Sequence, residues 1–450
     1  MSSTSGDSGL FDSGTTRIPA VGFTSFARDG TPLISSFAGA TADTVGYLAS
    51  CTKLLTCIAA LQCVERGLID LDEPVGRVIP RVDELDVLEG FERGKDGLPR
   101  FRRPKQRITL RHLLSHTSGL AYAFSSPNIK RWLKKNRGSD EVFCSVDGPI
   151  FRPLAFEPGE RWRYGPGVDI AGLIVETLTH TTLETYFRAH VFPPGADFSF
   201  FPDTFEGRIA SDAFEGRLAS DAFVREGSEF VRGGSELARA GSEFKRAGRV
   251  APIYTRKPDG QLEPTRLRKE GRREGAYACA GGHGGYASTR AFTDVLLALV
   301  NDGVHPTLPT YPRILSPTSL TLLTSPQLDP SRQKRAVADL GAYGFVEGAE
   351  GVGGESWRNF KTIKKNHALG GIILGEGWRT GRSGHNMSWS GMCNTNWWID
   401  TSKGVAGFFF AQLVPFGDPQ TVGLFERLEG LTYEALEGLT YEALEGRGGV

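Results

Sequence analysis

The sequence predicts an α+β protein, and three stretches carry that expectation. Residues 19–38 and 387–413 each hold apolar, β-prone runs around a short turn, Arg28-Asp-Gly30 in the first and Thr401-Ser-Lys-Gly404 in the second, which is the pattern of a hairpin. Between them, Tyr47–Gly67 reads as one buried helix. Leu54, Leu55, Ile58 and Leu61 follow the spacing of an apolar face, and Cys57, Ala59 and Ala60 leave little polar surface elsewhere. Gly67 supplies its stop, and Asp70–Pro74 the turn after it.

Bulk composition narrows the functional classes. A chain of 450 residues can bury a large core and hold two subdomains in one unit. Hydrophobic content of 39% with 23% charged residues fits a soluble globular protein. Lys+Arg and Asp+Glu both number 52, so no electrostatic case for nucleic acid or a membrane surface arises. The longest apolar runs, Val295–Val300 and Val405–Val414, fall short of the roughly 20 residues a membrane span needs. The opening Met1-Ser-Ser-Thr-Ser-Gly-Asp7 lacks the basic and apolar regions of a secretory signal, so a cytoplasmic location is expected. Cysteines 51, 57, 63, 144, 279 and 393 show no C-x-x-C or Cys/His spacing and are expected as packed, reduced thiols of an intracellular protein, with no metal site.

In chain order, residues 1–17 are rich in Ser, Gly, Thr and Asp and are expected to be disordered. Residues 81–107, charged and broken by Gly and Pro, read as a surface connection. Ile108–Leu120 reads as a short helix capped by Thr109 and ended by Gly119. His112 and His116 lie four apart on it, but no third ligand accompanies them, and they read as histidines bonded to nearby loops. Glu157-Pro-Gly-Glu-Arg-Trp-Arg-Tyr164 is a turn leading to an exposed-looking tyrosine and then an amphipathic helix. Residues 205–248 repeat: Phe205-Glu-Gly-Arg-Ile-Ala-Ser-Asp-Ala213 recurs after nine residues, and Gly-Ser-Glu heptads follow. Each heptad carries a glycine and one large apolar residue, too little for a coiled coil, so the stretch reads as a low-complexity surface insertion. The glycine-rich loop Gly281-Gly-His-Gly-Gly285 precedes a capped helix ending at Asn301-Asp-Gly303. It lacks the phosphate-loop pattern and reads as close backbone approach beside a cleft. A period of eight links 428 and 436 in a terminal helix, and residues 436–450 read as a repeat-derived tail.

The candidate chemistry starts at Ser50 and Lys53. Residues three apart on a helix share a face, so a hydroxyl and an amine stand side by side at the positive end of a buried helix. A serine needs a neighbouring base to become a nucleophile; a desolvated lysine can be that base. Tyr164, just ahead of its helix, is either a packing residue or an acid/base group. The S-x-x-K spacing recurs at Ser242/Lys245 and Ser331/Lys334, in polar segments with no apolar helix behind them, and those two read as chance.

Taken in order, Ser50/Lys53, Tyr164, the glycine-rich loop and Trp389-Ser-Gly391 resemble the β-lactamase-related serine hydrolases, most closely the esterase/transesterase branch with the fungal lovastatin-type acyltransferases. The matching runs are Leu48-Ala-Ser-Cys-Thr-Lys-Leu-Leu-Thr56, His112-Leu-Leu-Ser-His-Thr-Ser-Gly-Leu120 and Trp162-Arg-Tyr-Gly165. The resemblance implies a β-lactamase/transpeptidase-like fold, an antiparallel sheet built from both chain ends, flanked by helices, with a mostly helical subdomain from the middle. It implies one catalytic domain over 18–435, interrupted at 205–248. It implies Ser50 as the acyl-accepting nucleophile, Lys53 as its base partner and Tyr164 as the proton-transfer group. The strand Trp389, Ser390, Gly391 and Met392 would line the substrate, with the N–H groups of Ser50 and Met392 as the oxyanion hole.

The activity implied is an esterase or transesterase working through an acyl-Ser50 intermediate on an ester or thioester donor. Water or an alcohol would be the acceptor, an acyl-carrier protein is a candidate donor partner, and no cofactor is expected. Pro166 and Trp389 stand where β-lactamases and penicillin-binding relatives carry asparagine and lysine, and the passage before Ser50 is short against the family pattern. A β-lactamase or D-Ala carboxypeptidase, and a non-catalytic family member, are the readings left open.

Overall fold

A computed structural model of the chain describes residues 18–94, 97–136, 150–202, 249–265, 279–342 and 363–445. The expected disordered N-terminus, the repeats at 205–248, Ser242/Lys245 and Cys144 lie outside these residues.

The two ends of the chain meet in one antiparallel sheet. Its strands are β1 (Val21–Ala27), β2 (Pro32–Ala38), β3 (Lys365–His367), β4 (Ile372–Leu374), β5 (Asn386–Gly391), β6 (Thr395–Asp400) and β7 (Val405–Ala411), in spatial order β3-β4-β5-β6-β7-β1-β2. The closing contact pairs β1 with β7, Val21 opposite Ala411 through Ala27 opposite Val405. Side chains alternate across a strand, so Phe408 and Phe409 face opposite ways. Phe408 meets Phe292 of a helix, with ring centroids 4.6 Å apart, and Phe409 meets Phe425 on the other face at 5.5 Å. Every residue of β7 is buried because helices cover both faces.

The expected hairpins are present, and Gly30 at φ +89° makes the first turn. Helix α1 (Thr52–Glu65) is buried on all sides from Thr52 to Cys63, and Gly67 at φ +68° follows its end. Burial of this order contributes roughly 2 kcal/mol for each of Leu54, Leu55, Ile58 and Leu61, so truncating one to alanine empties a site at the centre of the molecule. Helix α2 (Leu110–Leu114) is shorter than expected. Thr109 caps it, but it ends before Gly119, where His116 turns the backbone at φ +58°. Helix α3 (Gly167–Thr179) packs on α1, and α4 (Thr289–Val300) covers one sheet face. Helix α5 (Pro419–Glu445) covers the other and runs on through position 436 into the second repeat copy.

The stretch 81–107 is not a plain connection. It folds as a two-stranded hairpin, Val87–Phe91 with Pro99–Arg102, whose alternation is masked in the sequence by arginines and a glycine bulge. The cysteines at 51, 57, 63, 279 and 393 are free and buried.

Candidate active site

Ser50 lies in a single 3-10 turn, Ala49–Cys51, that runs into the first turn of α1, one step ahead of the helix proper. Ala49 holds φ +46°, a left-handed conformation that costs a side-chain-bearing residue roughly 1 kcal/mol or more. Tertiary contacts maintain it. Leu48 N–H donates to Gly285 O at 2.9 Å, and strand β5 presses from the other side. A Cβ at Gly391 would meet the Leu48 carbonyl oxygen at 2.5 Å, so glycine is what lets that strand reach the nucleophile's turn.

Three side chains converge there. Tyr164 Oη donates to Ser50 Oγ at 2.5 Å, and Lys53 Nζ lies 3.3 Å from the same oxygen. Lys53 is buried, donates to Gly282 O at 2.6 Å, and stands 4.7 Å from the Tyr164 ring centre and 5.6 Å from that of Tyr122. Tyr164 is 6% exposed, so the exposed reading of this residue does not hold. Its carbonyl accepts from Tyr122 N–H at 3.0 Å and Ser125 Oγ at 2.7 Å, which fixes the segment that presents the phenol.

The histidines part company. His112 Nδ1 accepts from Thr109 N–H at 3.3 Å as half of a capping box, which is the loop-bonded role expected of it. His116 instead turns into the site, 5.0 Å from the Tyr164 ring, 5.2 Å from His367 and 6.3 Å from Trp389. Burial, the neighbouring His367 and Lys53 push the His116 imidazole well below the usual histidine range, and burial brings His367 down to about 4. Both rings are therefore neutral at neutral pH. With Trp162 and Trp389 they form a low-polarity wall behind the phenol.

On β5, Trp389 packs on this wall with its ring 5.2 Å from that of Tyr164. Ser390 points the other way, its Oγ bonded to Asn396 Oδ1 at 2.5 Å. Met392 lies at the strand's end against Tyr47, Ala49 and Cys393. The strand thus presents its backbone and the Trp389 indole toward the site. His367 and Tyr122 reach the site from separate elements and carry no sequence signal. Among the described residues, no group of three or more His, Cys, Asp or Glu is placed to hold a metal, and no helix is long and apolar enough to cross a membrane.

A hydroxyl held between an amine and a phenol, beside a backbone edge, can attack a carbonyl and hand off its proton. Comparisons with known proteins point the same way. The beta-lactamase family model matches residues 17–429. Monacolin J acid methylbutanoyltransferase of Aspergillus terreus is 30% identical over 400 residues, covering 87% of this chain and 82% of that protein. Lovastatin esterase of Penicillium rubens is 41% identical over 167 residues, 36% of this chain and 41% of that protein. Among solved structures, a mutant of simvastatin synthase from Aspergillus terreus superposes with a TM-score of 0.71 at 28% identity, over 94% of each chain.

Proposed function

Since the chain belongs to the beta-lactamase family and is a serine acyl hydrolase or acyltransferase, we propose that it moves an acyl group from an ester or thioester onto Ser50 and then to an alcohol or water. The observation that carries this reading is the Ser50 hydroxyl within reach of both Lys53 and Tyr164. Ser50 Oγ attacks the acyl carbonyl while its proton passes to Lys53. Tyr164 relays a proton to the departing alcohol or thiol, and then takes one from the incoming acceptor. The N–H groups of Ser50 and Met392 receive the oxyanion, a role that the close approach of β5 to the nucleophile's turn supports.

The names of the relatives, a methylbutanoyltransferase and a lovastatin esterase, support a short branched acyl group, a bulky small-molecule alcohol and a place in secondary metabolism. A thioester donor on an acyl-carrier protein belongs to the same proposal. A lactam or D-alanyl peptide is disfavoured, because Trp389 offers no charge to hold its carboxylate. One catalytic domain over 18–435 with 205–248 as an insertion is supported by contacts across that interval. Asp197 pairs with Arg249, and Arg249 O accepts from Val45 N–H at 2.9 Å.

The test is a series of simple esters of increasing acyl length, with an alcohol as competing acceptor. Turnover of short acyl esters, with product divided between free acid and new ester, is the expected result. Turnover of a chromogenic cephalosporin without any esterase activity would reject it.

A further inference from the structure

A lysine acts on a serine only if its amine is aimed there, and here the aim is set by the backbone of the glycine-rich loop. Gly282 O accepts from Lys53 Nζ at 2.6 Å, and Gly282 N–H donates to Asp169 Oδ1 at 2.9 Å. Asp169 is 5% exposed and sits in the first turn of α3, five residues past Tyr164. A Cβ at Gly282 would fall 2.2 Å from Asp169 Oδ2, so glycine is required for the carboxylate to come this close. The rest of the loop is tied to α1: Gly281 O accepts from Thr56 Oγ1 at 2.6 Å, and Gly285 N–H donates to Thr52 Oγ1 at 3.0 Å. Asp169 is thus the anchor on the α3 side, on the segment that also delivers the phenol. Its Oδ2 is buried without a hydrogen-bond partner, and His283 Nε2 stands 3.8 Å from Oδ1, too far for a hydrogen bond.

We propose that Asp169 is a positioning residue for the acyl chemistry: by anchoring the Gly282 N–H it fixes the neighbouring carbonyl as acceptor of one Lys53 N–H, which turns the amine's lone pair onto the Ser50 hydroxyl. The inference rests on the roles of Ser50 and Lys53 proposed above. A hydrogen bond to a carboxylate is about twice as strong as one to a neutral oxygen, which suits a group that must hold a flexible glycine loop still.

The experiment compares kcat and KM for a nitrophenyl ester in the full chain, wild type against Asp169→Ala and Asp169→Asn. Rates are normalised to active sites titrated to completion with a fluorophosphonate. Asp169→Ala should lose roughly 10- to 100-fold in kcat with KM within about twofold, and Asp169→Asn, which keeps an oxygen for the Gly282 N–H, should recover most of it. If Asp169→Ala does not fold, Asp169→Glu decides. It keeps the charge but moves the carboxylate off the loop, and the same fall in kcat at constant KM is expected. Unchanged kcat in Asp169→Ala or Asp169→Glu overturns the proposal, as does an equal loss in Asp169→Asn and Asp169→Ala. A Lys53→Ala control separates the two levels. Wild type without acylation at Ser50 removes the underlying reading, whereas acylation that needs Lys53 but ignores Asp169 removes this inference alone.

Discussion

Two described places in this chain carry the same serine–lysine spacing, and they behave as opposites. At Ser331 the hydroxyl donates to Asp329 Oδ1 at 2.6 Å, both residues of the motif are exposed, and Lys334 begins a surface helix, Lys334–Ala342. At Ser50 the lysine is 3% exposed, one of its hydrogens goes to a backbone carbonyl, and a phenol shares the serine oxygen. Spacing is a weak constraint that any polar turn meets. Reactivity needs a base removed from water, an acceptor that fixes its direction, and a second proton carrier. Only the helix that is buried on every side supplies all three.

The largest test of that contrast is Ser50→Ala. It should lower kcat/KM on a nitrophenyl ester by about 10³-fold or more, while Ser331→Ala leaves the rate alone. Retained activity in Ser50→Ala would erase the distinction between the two sites. Next comes Tyr164→Phe, which keeps the ring packed on His116 and Trp389 and removes the proton carrier. A loss on the order of 10²-fold in kcat, with unchanged urea midpoint, is expected.

The neutral wall behind the phenol sharpens the contrast through pH. Folding keeps His367 unprotonated down to about 4, whereas an unfolded histidine takes up a proton near its ordinary value of 6.5. The unfolded chain therefore binds more protons between those values. The stability contributed by His367 is complete above pH 6.5 and is lost as pH falls toward 4, on the order of 3 kcal/mol in all. His367→Phe should lose less stability than wild type between pH 7 and pH 4.5, read as the change in urea midpoint. Equal losses would mean the wall is not held neutral by burial. The smallest effect belongs to the surface site. Ser331→Ala with Lys334→Ala should stay within about 0.5 kcal/mol in stability and keep full activity.

Much of this was legible in the sequence, for physical reasons. The hairpins at 19–38 and 387–413 announce themselves by apolar, β-prone runs around a glycine turn. The buried helix shows through an apolar run with no polar face, and the glycine-rich loop shows as a place where backbones approach. Ser50, Lys53 and Tyr164 could be named because the order of their motifs resembles the β-lactamase-related hydrolases, and the structure brings the three side chains together. The hairpin at 87–102 was hidden because its second strand, Pro99–Arg102, is largely exposed and carries arginines in place of β-branched residues, and a glycine bulge breaks the first. His116, placed in the sequence on the Ile108–Leu120 helix, instead ends it with a left-handed backbone set by tertiary packing, which leaves no trace in local pattern. Asp169 drew no reading from the sequence, because the Gly282 N–H it accepts comes from a loop 113 residues later.

The most direct test of the account is mass spectrometry of the intact protein after treatment with a fluorophosphonate, followed by peptide mapping, for wild type and Lys53→Ala. The account predicts one adduct on Ser50 in wild type and a strongly slowed reaction in Lys53→Ala. Folded wild type that takes up no label at Ser50, or labels there equally fast without Lys53, would contradict it.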